Sequence, residues 1–370
     1  MHQLIKPIAF FLPQFHPIPE NDLAWGKGFT EWNNVVKAKP RFKGHYQPQL
    51  PADLGFYDLR LTDVREAQAK LAQQYGIYGF CYYHYWFNGK RLLHQPVDAI
   101  LATQSPNFPF CLCWANENWT RRWDGQDREV IQEQQYSEAD DVKHIQWLAK
   151  AFADPRYIRV QGKPLFMVYK LSLLPNPART LTRWRAEAKR LGIGDLYICN
   201  VEMSASEHQL ANKYDINGAV EFAPDFTLMP IARPTGLIHP RVPRLLHKLG
   251  LTRKPPEPDW VYSYQSMMQS MLSKPQPTYT RFPCVTPSWD NTSRRQNGAT
   301  IFHGNTPEKY QQWLETTIKR VRSLPQEPLV FINAWNEWAE GNHLEPCQKH
   351  GHAYLQATKQ ALDNTNQQPA

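Results

Sequence analysis

The sequence has no long apolar run and no recognisable export signal. None of its 370 residues belongs to a stretch near the ~18 consecutive apolar residues that a transmembrane helix needs. The N-terminal segment MHQLIKPIAFFLPQFHP has one lysine, a proline on either side of a very short apolar run, and no small-residue cleavage site. We therefore interpret the chain as a cytoplasmic protein, with peripheral attachment to the inner membrane as a second hypothesis.

Motifs for metals and cofactors are also scarce. No GxGxxG loop follows a predicted strand, and no Walker A motif is present. Cys111 and Cys113 are two residues apart, but no second cysteine pair completes a metal site. The other cysteines, apart from Cys347, also lie in apolar, strand-like runs, which is typical of core thiols. The sequence therefore predicts neither a metal nor a cofactor.

Acidic residues are missing from one segment. The net charge is +8, and residues 226–256 contain no Asp or Glu while they carry six Lys or Arg. The rest of the chain is close to balanced, so we predict no nucleic-acid partner. Two interpretations of Arg233–Lys254 stay open: a solvated loop insertion, or an interfacial element that contacts an anionic membrane.

Aromatic residues, by contrast, are abundant, with 13 Trp, 17 Tyr and 17 Phe. Many stand in short runs that mix rings with polar side chains, rather than at the spacing of a core face. Rings with polar edges suit a ligand that is apolar on one face and hydroxylated around its rim. A sugar is such a ligand, so the composition favours an oligosaccharide or polysaccharide substrate.

Strand-like and helix-like segments alternate along the chain, which predicts a parallel sheet. Eight repeats indicate a (β/α)8 TIM barrel with long βα loops, with an open doubly wound sheet as the alternative. Among the helices we predict Trp260–Leu272, and Pro307–Val321 with Thr306 as its N-cap. The predicted strands are Ile8–Leu12, Tyr78–Tyr82, Phe110–Trp114, Leu165–Tyr169, Tyr197–Val201, Gly218–Phe222, Pro283–Pro287 and Leu329–Asn333.

This pattern also sets the expected domain organisation. We expect a single catalytic domain over residues 1–363, with the basic insertion at about 226–256. The polar tail 364–370 is predicted to be disordered.

Polar and aromatic side chains follow six of the predicted strands, where a barrel holds its active site. Scattered surface polarity does not sort itself in this way. From these segments we predict a set of substrate-binding residues. They are Glu31, Trp32, Tyr83, His84, Tyr85, Trp114, Asn116, Glu117, Trp119, Glu221, Trp289, Asp290, Trp335, Asn336 and Trp338.

Two glutamates in the stretch NAWNEWAEGNHLEP are the catalytic candidates. Glu337 and Glu340 are three residues apart, so on a helical turn they share one face. Glycosidic chemistry needs one carboxyl to protonate the departing oxygen and another to act as base or nucleophile. A solvated pair in a loop is the plain alternative. Glu345, farther along, is interpreted as a brace for the loop.

Structural explanations compete for the other candidates too. Strand alternation allows only some of Tyr83, His84 and Tyr85 to point inward, and His84 could be a packed core histidine. Glu31 and Trp32 could form a loop ion pair with local packing. Trp114 and Asn116 could belong to a structural network at the barrel mouth.

Several stretches resemble known protein families. WNEWAEG, followed by Glu-Pro, resembles the signature of glycoside hydrolase family 99, the endo-α-mannosidase family. FLPQFHPIPEND, WGKGFTEWNNV, GHYQPQLPADLGFYDLR, YGIYGFCYYHYWFNGKRLL and FCLCWANENWTRRWDG resemble the WbsX group of family-99-like proteins, which are named as glycosyltransferases of O-antigen and capsule clusters. The WbsX resemblance extends over nearly the whole chain.

The resemblance implies a (β/α)8 barrel and a role for each glutamate. Glu337 would deprotonate the sugar 2-hydroxyl, whose oxygen attacks C1 and gives a 1,2-anhydro sugar. Glu340 would act as general acid and then as general base, with net retention. The first strand departs from the hydrolases, because PQFHP stands where a tyrosine-rich run is expected.

Three functional hypotheses remain. The first is a glycosyltransferase of bacterial surface polysaccharide (O-antigen or capsule, lipopolysaccharide) biosynthesis, whose substrate could be lipid-linked. The second is an endo-acting retaining α-mannosidase-type hydrolase. The third is a non-catalytic glycan-binding module.

Overall fold

The computed structural model describes residues 4–121, 126–235 and 257–366, and its centre is a barrel of parallel strands. All eight predicted strands are present, so the predicted (β/α)8 barrel is confirmed. The strands are β1 (Lys6–Phe11), β2 (Gly79–Phe87), β3 (Phe110–Trp114), β4 (Lys163–Val168), β5 (Tyr197–Glu202), β6 (Gly218–Glu221), β7 (Arg281–Phe282 and Cys284–Val285) and β8 (Leu329–Ile332).

The barrel closes through its seventh strand. Each strand from β1 to β6 pairs in parallel with the next, and β8 pairs with β1. Pro283 interrupts β7, because a proline has no N–H to give to the ladder. The first half of β7 pairs with β6 and the second half with β8, so the ladder shifts neighbours at this proline.

Two glycines permit close approaches at the strand starts. A Cβ on Gly79 would lie 2.6 Å from the carbonyl oxygen of Pro109, and one on Gly218 would lie 2.6 Å from that of Thr280. Any larger residue would push β2 from β3, or β6 from the segment leading into β7. These glycines therefore allow neighbouring strands to approach closely at their starts.

Ten helices occur in the described part of the chain, and most pack around the barrel. Ser137 and Thr306 cap two of them, each accepting a hydrogen bond from the third residue that follows. The helices are α1 (Pro19–Trp25), α2 (Trp32–Val35), α3 (Thr62–Gln74), α4 (Gln95–Thr103), α5 (Glu138–Phe152), α6 (Pro177–Arg190), α7 (Leu210–Lys213), α8 (Tyr264–Leu272), α9 (Pro307–Arg322) and α10 (Ala353–Asn366).

Two helix boundaries differ from the sequence-based expectation. The predicted helix Trp260–Leu272 begins only at Tyr264, because Trp260–Ser263 forms a strand that pairs with Thr300–His303. The last helix, α10, extends to residue 366, so it runs into the segment 364–370 that was predicted as a disordered tail.

Several small sheets lie outside the barrel, most of them on its C-terminal side. Trp260–Ser263, Thr300–His303 and their partners form one sheet of four short strands, drawn from the segments after β6 and β7. Its other strands are Arg233–Pro234 and Trp289–Asp290. The remaining short strands in the described part of the chain are Lys90–Leu92, Trp119–Arg121, Gln126–Gln132, Arg159–Val160, Asn336–Glu337 and Asn342–His343. Arg159–Val160 pairs with the start of β4, and the other elements extend the walls above the strand ends.

The basic insertion falls mainly outside the described residues. Only Arg233 and the two residues after it belong to the described part of Arg233–Lys254, so the predicted membrane contact lies outside it. Within the described ranges, no helix combines the length and the apolar character needed to cross a bilayer.

The barrel interior is filled by aromatic and branched side chains, and every residue of β2, β3 and β5 is buried. The ring of Phe10 in β1 stacks on that of Tyr83 in β2, with centroids 5.7 Å apart, and contacts Phe331 in β8 at 5.6 Å. Parallel strands covered on both faces need such continuous apolar sequence. Apolar packing therefore fills the barrel interior up to the polar side chains at the C-terminal ends of the strands.

Candidate active site

A cavity of about 470 Å³ lies at the C-terminal end of the barrel. The ends of all eight strands, or the segments that follow them, contribute to its wall, which is where barrel enzymes place their active sites. Its lining residues are Leu12, Tyr83, Tyr85, Ala115, Glu117, Asn118, Trp119, Thr120, Tyr169, Met203, Phe222, Phe226, Trp289, Asn291, Arg294, Arg295, Glu337 and Glu340.

Both candidate glutamates face this cavity from a tight turn after β8. A 3-10 turn over Trp338–Glu340 separates Glu337 from Glu340 and ends at Gly341, whose φ is 56°. A Cβ on Gly341 would lie 2.9 Å from the backbone oxygen of Asp290. Because only glycine fits this conformation and this gap, the turn that presents the two carboxylates depends on it.

Arg294, from the segment after β7, joins the two glutamates to a third carboxylate. Its Nη1 donates to Glu340 at 2.6 Å, while Nη2 donates to Glu337 at 2.9 Å and to Glu31 at 2.8 Å. The Arg294 side chain is 14% exposed, and that of Glu31 is fully buried. One guanidinium therefore balances three carboxylates, and the cluster keeps a formal charge of −2 if all three are ionised.

This arrangement shifts the pKa values of Glu337 and Arg294 upward. Burial raises the pKa of Glu337 well above its ordinary value, Glu340 raises it further, and Arg294 partly opposes them. Burial alone would lower the pKa of Arg294, but the neighbouring carboxylates, Glu31 first, hold it well above its ordinary value. Arg294 therefore remains charged, while Glu337 is a strong base once it has lost its proton.

Aromatic rings form much of the cavity wall. Tyr85 meets Trp119 edge-to-face with centroids 4.9 Å apart, and Tyr83 meets Tyr169 edge-to-face at 5.9 Å. Burial raises the pKa of both Tyr83 and Tyr85, so their hydroxyls stay neutral and can donate hydrogen bonds. Trp289 adds a further ring to the wall. Such a wall offers both stacking faces and hydroxyl donors to a sugar.

A further acidic group lies on the wall that follows β3. Glu117 accepts a hydrogen bond from the ammonium of Lys170 at 2.5 Å. Asn116 beside it does not line the cavity; it is fully buried and binds the backbone of Lys170 on both sides, at 2.8 Å to N and 2.7 Å to O. Asn116 thereby fixes the position of the Lys170–Glu117 pair.

Strand alternation decides which side chains of the YHY run reach the cavity. Tyr83 and Tyr85 line it, whereas His84 points to the opposite face of β2. The Nε2 atom of His84 is 3.0 Å from that of His144 on α5, and its ring stacks on Trp147 with centroids 4.6 Å apart. His84 is therefore part of the packing between barrel and helix.

Tryptophans divide between wall and core. Trp119 and Trp289 line the cavity. Trp335 packs against Phe80 at 5.0 Å below it. Four predicted tryptophans are buried and lie away from the cavity, namely Trp32, Trp114, Trp335 and Trp338. These large rings stabilise the segments that carry the polar groups.

Glu345 holds the loop from inside, as predicted. Its carboxylate accepts hydrogen bonds from Trp338 Nε1 at 2.7 Å, Gln68 Nε2 at 2.7 Å and the Tyr57 hydroxyl at 2.8 Å. Burial raises the pKa of Glu345 to about 7, although the three donors oppose this shift. The structure confirms that Glu345 is a brace.

Asn336 has a similar structural position. Its Oδ1 accepts from the backbone N–H of Leu12 at 2.7 Å, and its Nδ2 donates to the backbone oxygen of Leu12 at 3.1 Å. Asn336 is fully buried, so it connects the end of β1 to the turn after β8 without facing the cavity.

Two other predicted residues form ion pairs elsewhere. Glu221 accepts from Lys274 at 2.7 Å on the far side of β6, and Asp290 faces His45 at 2.6 Å. Glu31 contributes to the carboxylate cluster through Arg294 but is not itself a cavity-lining residue. The cavity thus brings together Tyr83, Tyr85, Glu117, Trp119, Trp289, Glu337 and Glu340, and the rest of the predicted set lies outside its lining.

The sequence-based selection missed the residue with the most charged contacts. Arg294 lies in SWDNTSRR, a segment that follows a predicted strand, but an arginine there is usually solvated. Tyr169 and Phe226 were also missed. Arg294 could have been identified because it follows a predicted strand at the same end of the barrel as the two glutamates. Buried carboxylates need a positively charged partner.

A (β/α)8 barrel that joins an acid pair to an aromatic cavity is typical of carbohydrate-active enzymes. The sequence model of the family described as "Glycosyltransferase WbsX" matches residues 7–358. The chain belongs to this family.

The chain is also similar to curated proteins and to solved structures. The chain is 44% identical over 360 residues to "Uncharacterized protein WxcX" from two strains of Xanthomonas campestris pv. campestris, covering 96% of the chain. It spans about half the length of these curated relatives, 49%. A GH99 endo-alpha-mannosidase from Bacteroides thetaiotaomicron superposes with a TM-score of 0.59 at 17% identity, with 98% of both chains covered. A "Glycoside hydrolase-like protein" gives 0.61 at 15% identity, covering 97% and 94%. At such identities the structural likeness is one of fold.

Proposed function

We propose that the protein is a glycosyltransferase of bacterial surface polysaccharide biosynthesis (O-antigen or capsule), with a retaining two-glutamate site. The observation that carries this proposal is the placement of Glu337 and Glu340 side by side on Arg294 in an aromatic-lined cavity. Family membership supports the glycosyl transfer, and the acid pair supports chemistry at a glycosidic bond.

In the first step, Glu337 takes the proton of the sugar 2-hydroxyl while that oxygen attacks C1. Glu340 gives its proton to the departing oxygen as the C1–O bond breaks, which leaves a 1,2-anhydro sugar. In the second step, Glu340 takes the proton of an acceptor hydroxyl, the acceptor oxygen bonds to C1, and the C1–O2 bond breaks. Glu337 then returns the proton to O2. Two inversions at C1 give retention.

The chemistry of the site supports these roles. A base needs high proton affinity, and burial raises the pKa of Glu337. Glu337 must lose its proton before reaction, and Arg294 favours that ionised state from 2.9 Å. In this mechanism Tyr83 and Tyr85 would donate hydrogen bonds to sugar hydroxyls, while Trp119 and Trp289 would stack on the ring faces.

An endo-acting retaining hydrolase is the second candidate, favoured by the likeness to the GH99 barrel across the whole chain. The two candidates differ only in whether a sugar hydroxyl or water attacks in the second step. Released O-antigen oligosaccharides, lipid-linked and free, should be incubated with the purified protein and analysed by mass spectrometry, with and without a nucleotide-sugar pool. Products that grow only with a donor support transfer, and products that shorten without one support hydrolysis.

The Glu340→Gln variant provides the control for both. An enzyme should lose turnover while it keeps glycan binding, whereas a glycan-binding module would lose little of either property. Full-rate turnover by Glu340→Gln would rule out the two-glutamate mechanism.

A further inference from the structure

A second, smaller pocket lies behind one wall of the cavity at the C-terminal end of the barrel. Its volume is about 120 Å³, well below the 300–1,000 Å³ that typically holds a drug-sized ligand. The short strand Trp289–Asp290, paired with Thr300–His303, forms the wall between the two spaces. Trp289 lines both of them. The pocket therefore suits a small group rather than a sugar chain.

Cationic and N–H-bearing side chains dominate this pocket. Lys349 and the four histidines His45, His303, His343 and His350 all line it. They come from different parts of the chain, namely the segment after β1 and the segments after β7 and β8. The fold therefore gathers basic groups that the sequence keeps far apart.

Several of these groups form no ion pair and no side-chain hydrogen bond among the described residues. Lys349 makes no ion pair there; its ammonium lies 4.9 Å from the ring centre of Tyr46. The ring nitrogens of His303 and His350 have no hydrogen-bond partner in the same described set. Their donors are therefore open to a ligand.

One carboxylate, Asp290, lines the pocket, and a second, Glu308, lies near it. Asp290 is engaged by His45 at 2.6 Å, by Gln47 at 2.8 Å and by the hydroxyl of Thr292 at 2.7 Å. Glu308 interacts electrostatically with His350 but is itself exposed at the start of α9. Three donors already occupy the Asp290 carboxylate, so Lys349, His303 and His350 are the groups left for a ligand.

The shared wall carries an additional unused donor. The indole N–H of Trp289 is buried and has no hydrogen-bond partner within the described ranges. A buried donor without an acceptor is unfavourable unless a ligand or water occupies the space next to it. In the pocket itself, a group with several acceptor oxygens would satisfy the ring N–H groups of His303 and His350 together.

We propose that this pocket binds a phosphoryl group. A phosphate has acceptor oxygens on every side and a charge that Lys349 complements, and the space is large enough for it but not for a glycan. If the proposed function holds, the phosphoryl group belongs to a phosphate-linked glycan, either a nucleotide-activated or an isoprenoid-linked one. The binding itself does not depend on that function.

Calorimetric titration with inorganic pyrophosphate tests the pocket directly. Lys349→Gln should weaken binding about tenfold, because it removes a charge-assisted hydrogen bond. Lys349→Arg should retain most of the affinity. Lys359→Gln is the matched control, since Lys359 is an exposed lysine on α10 and its loss changes the net charge equally. An absence of saturable binding, or equal weakening in Lys349→Gln and Lys359→Gln, would overturn the proposal.

Competition identifies the molecule that carries the phosphoryl group. Tighter competition by geranyl diphosphate in detergent than by uridine diphosphate supports an isoprenoid carrier, and the reverse order supports a nucleotide. Glu340→Gln should bind pyrophosphate as wild type does; if it does not, the pocket is not a separate site and the proposal fails. Loss of the proposed turnover mechanism would leave the pyrophosphate result unchanged, so the two failures are distinguishable.

Discussion

Replacing Arg294 with glutamine should destabilise the protein in a pH-dependent way. The guanidinium contacts three carboxylates between 2.6 and 2.9 Å and is 14% exposed. Removing one partner of a buried ion pair costs about 3–5 kcal/mol of unfolding free energy, because the opposite charge is left unpaired. The carboxylates can reduce this loss by taking up protons, and that response makes the effect measurable.

The sign of the pH dependence follows from Glu337. Its pKa in the folded protein is already above the ordinary carboxyl value, and Arg294 opposes the shift, so the variant should raise this pKa further. Below the unfolded pKa of about 4.3 both states are protonated, and Glu337 adds no penalty. As the pH rises above it, the unfolded chain releases its proton first, so the folded state loses stability up to the folded pKa of Glu337. Wild type stops losing stability at that pKa, whereas the variant, with a higher folded pKa, continues to lose it. The deficit of the variant should therefore grow with pH.

Urea unfolding between pH 4 and pH 8 is the assay. At pH 8 the Arg294→Gln variant should be less stable than wild type by about 3–5 kcal/mol, and at pH 4 by clearly less. Arg60→Gln is the matched control, because Arg60 and Asp58 form a solvent-accessible pair, with side chains 50% and 31% exposed. It should change stability by under about 1 kcal/mol, without a slope in this range. A deficit for Arg294→Gln that is small, or that stays constant with pH, would refute the reasoning.

Three further outcomes are expected. Glu340→Gln should lower turnover at least ~10²-fold, the low end for general acid–base catalysis, with glycan binding intact in a pull-down or titration. Trp119→Ala should weaken oligosaccharide binding about tenfold by titration while Trp147→Ala, on the outer face, should not, since a buried stacking ring contributes on the order of 1 kcal/mol or more. The pKa of Glu345 is raised to about 7, so its ionisation should lower the wild-type unfolding free energy by up to about 3 kcal/mol between pH 4.5 and pH 7. Glu345→Gln should remove this decline. Equal pH slopes for wild type and Glu345→Gln would contradict that last expectation.

The barrel could be predicted because its determinants are local. Apolar runs alternate with amphipathic helices, and parallel strands follow from that order without knowledge of any distant contact. The end of β8 could likewise be located from a buried run that stops at polar residues. Boundaries failed where a strand found its partner far away, as Trp260–Ser263 did with Thr300–His303.

The site was predictable only in part, because its members are selected by three-dimensional packing. Alternation indicates that Tyr83 and Tyr85 differ from His84, but not which set faces inward. Asn116 and Asn336 look like ligand-binding amides in sequence, yet both bind backbone atoms that other strands supply. Arg294 could not be predicted for the same reason, because its three carboxylate partners come from the segments after β1 and β8.

About half of the residues in WNEWAEG and the following Glu-Pro have a structural role. Trp335, Asn336, Trp338 and Glu345 fix the turn from within, while Glu337 and Glu340 face the cavity. Losing both carboxylates would therefore leave the turn anchored and the sugar-sized space open. By the mechanism proposed above, a family member that keeps the framework residues but lacks the two glutamates should keep the shape of the barrel mouth without the activity. A match to this stretch by itself therefore does not identify an enzyme.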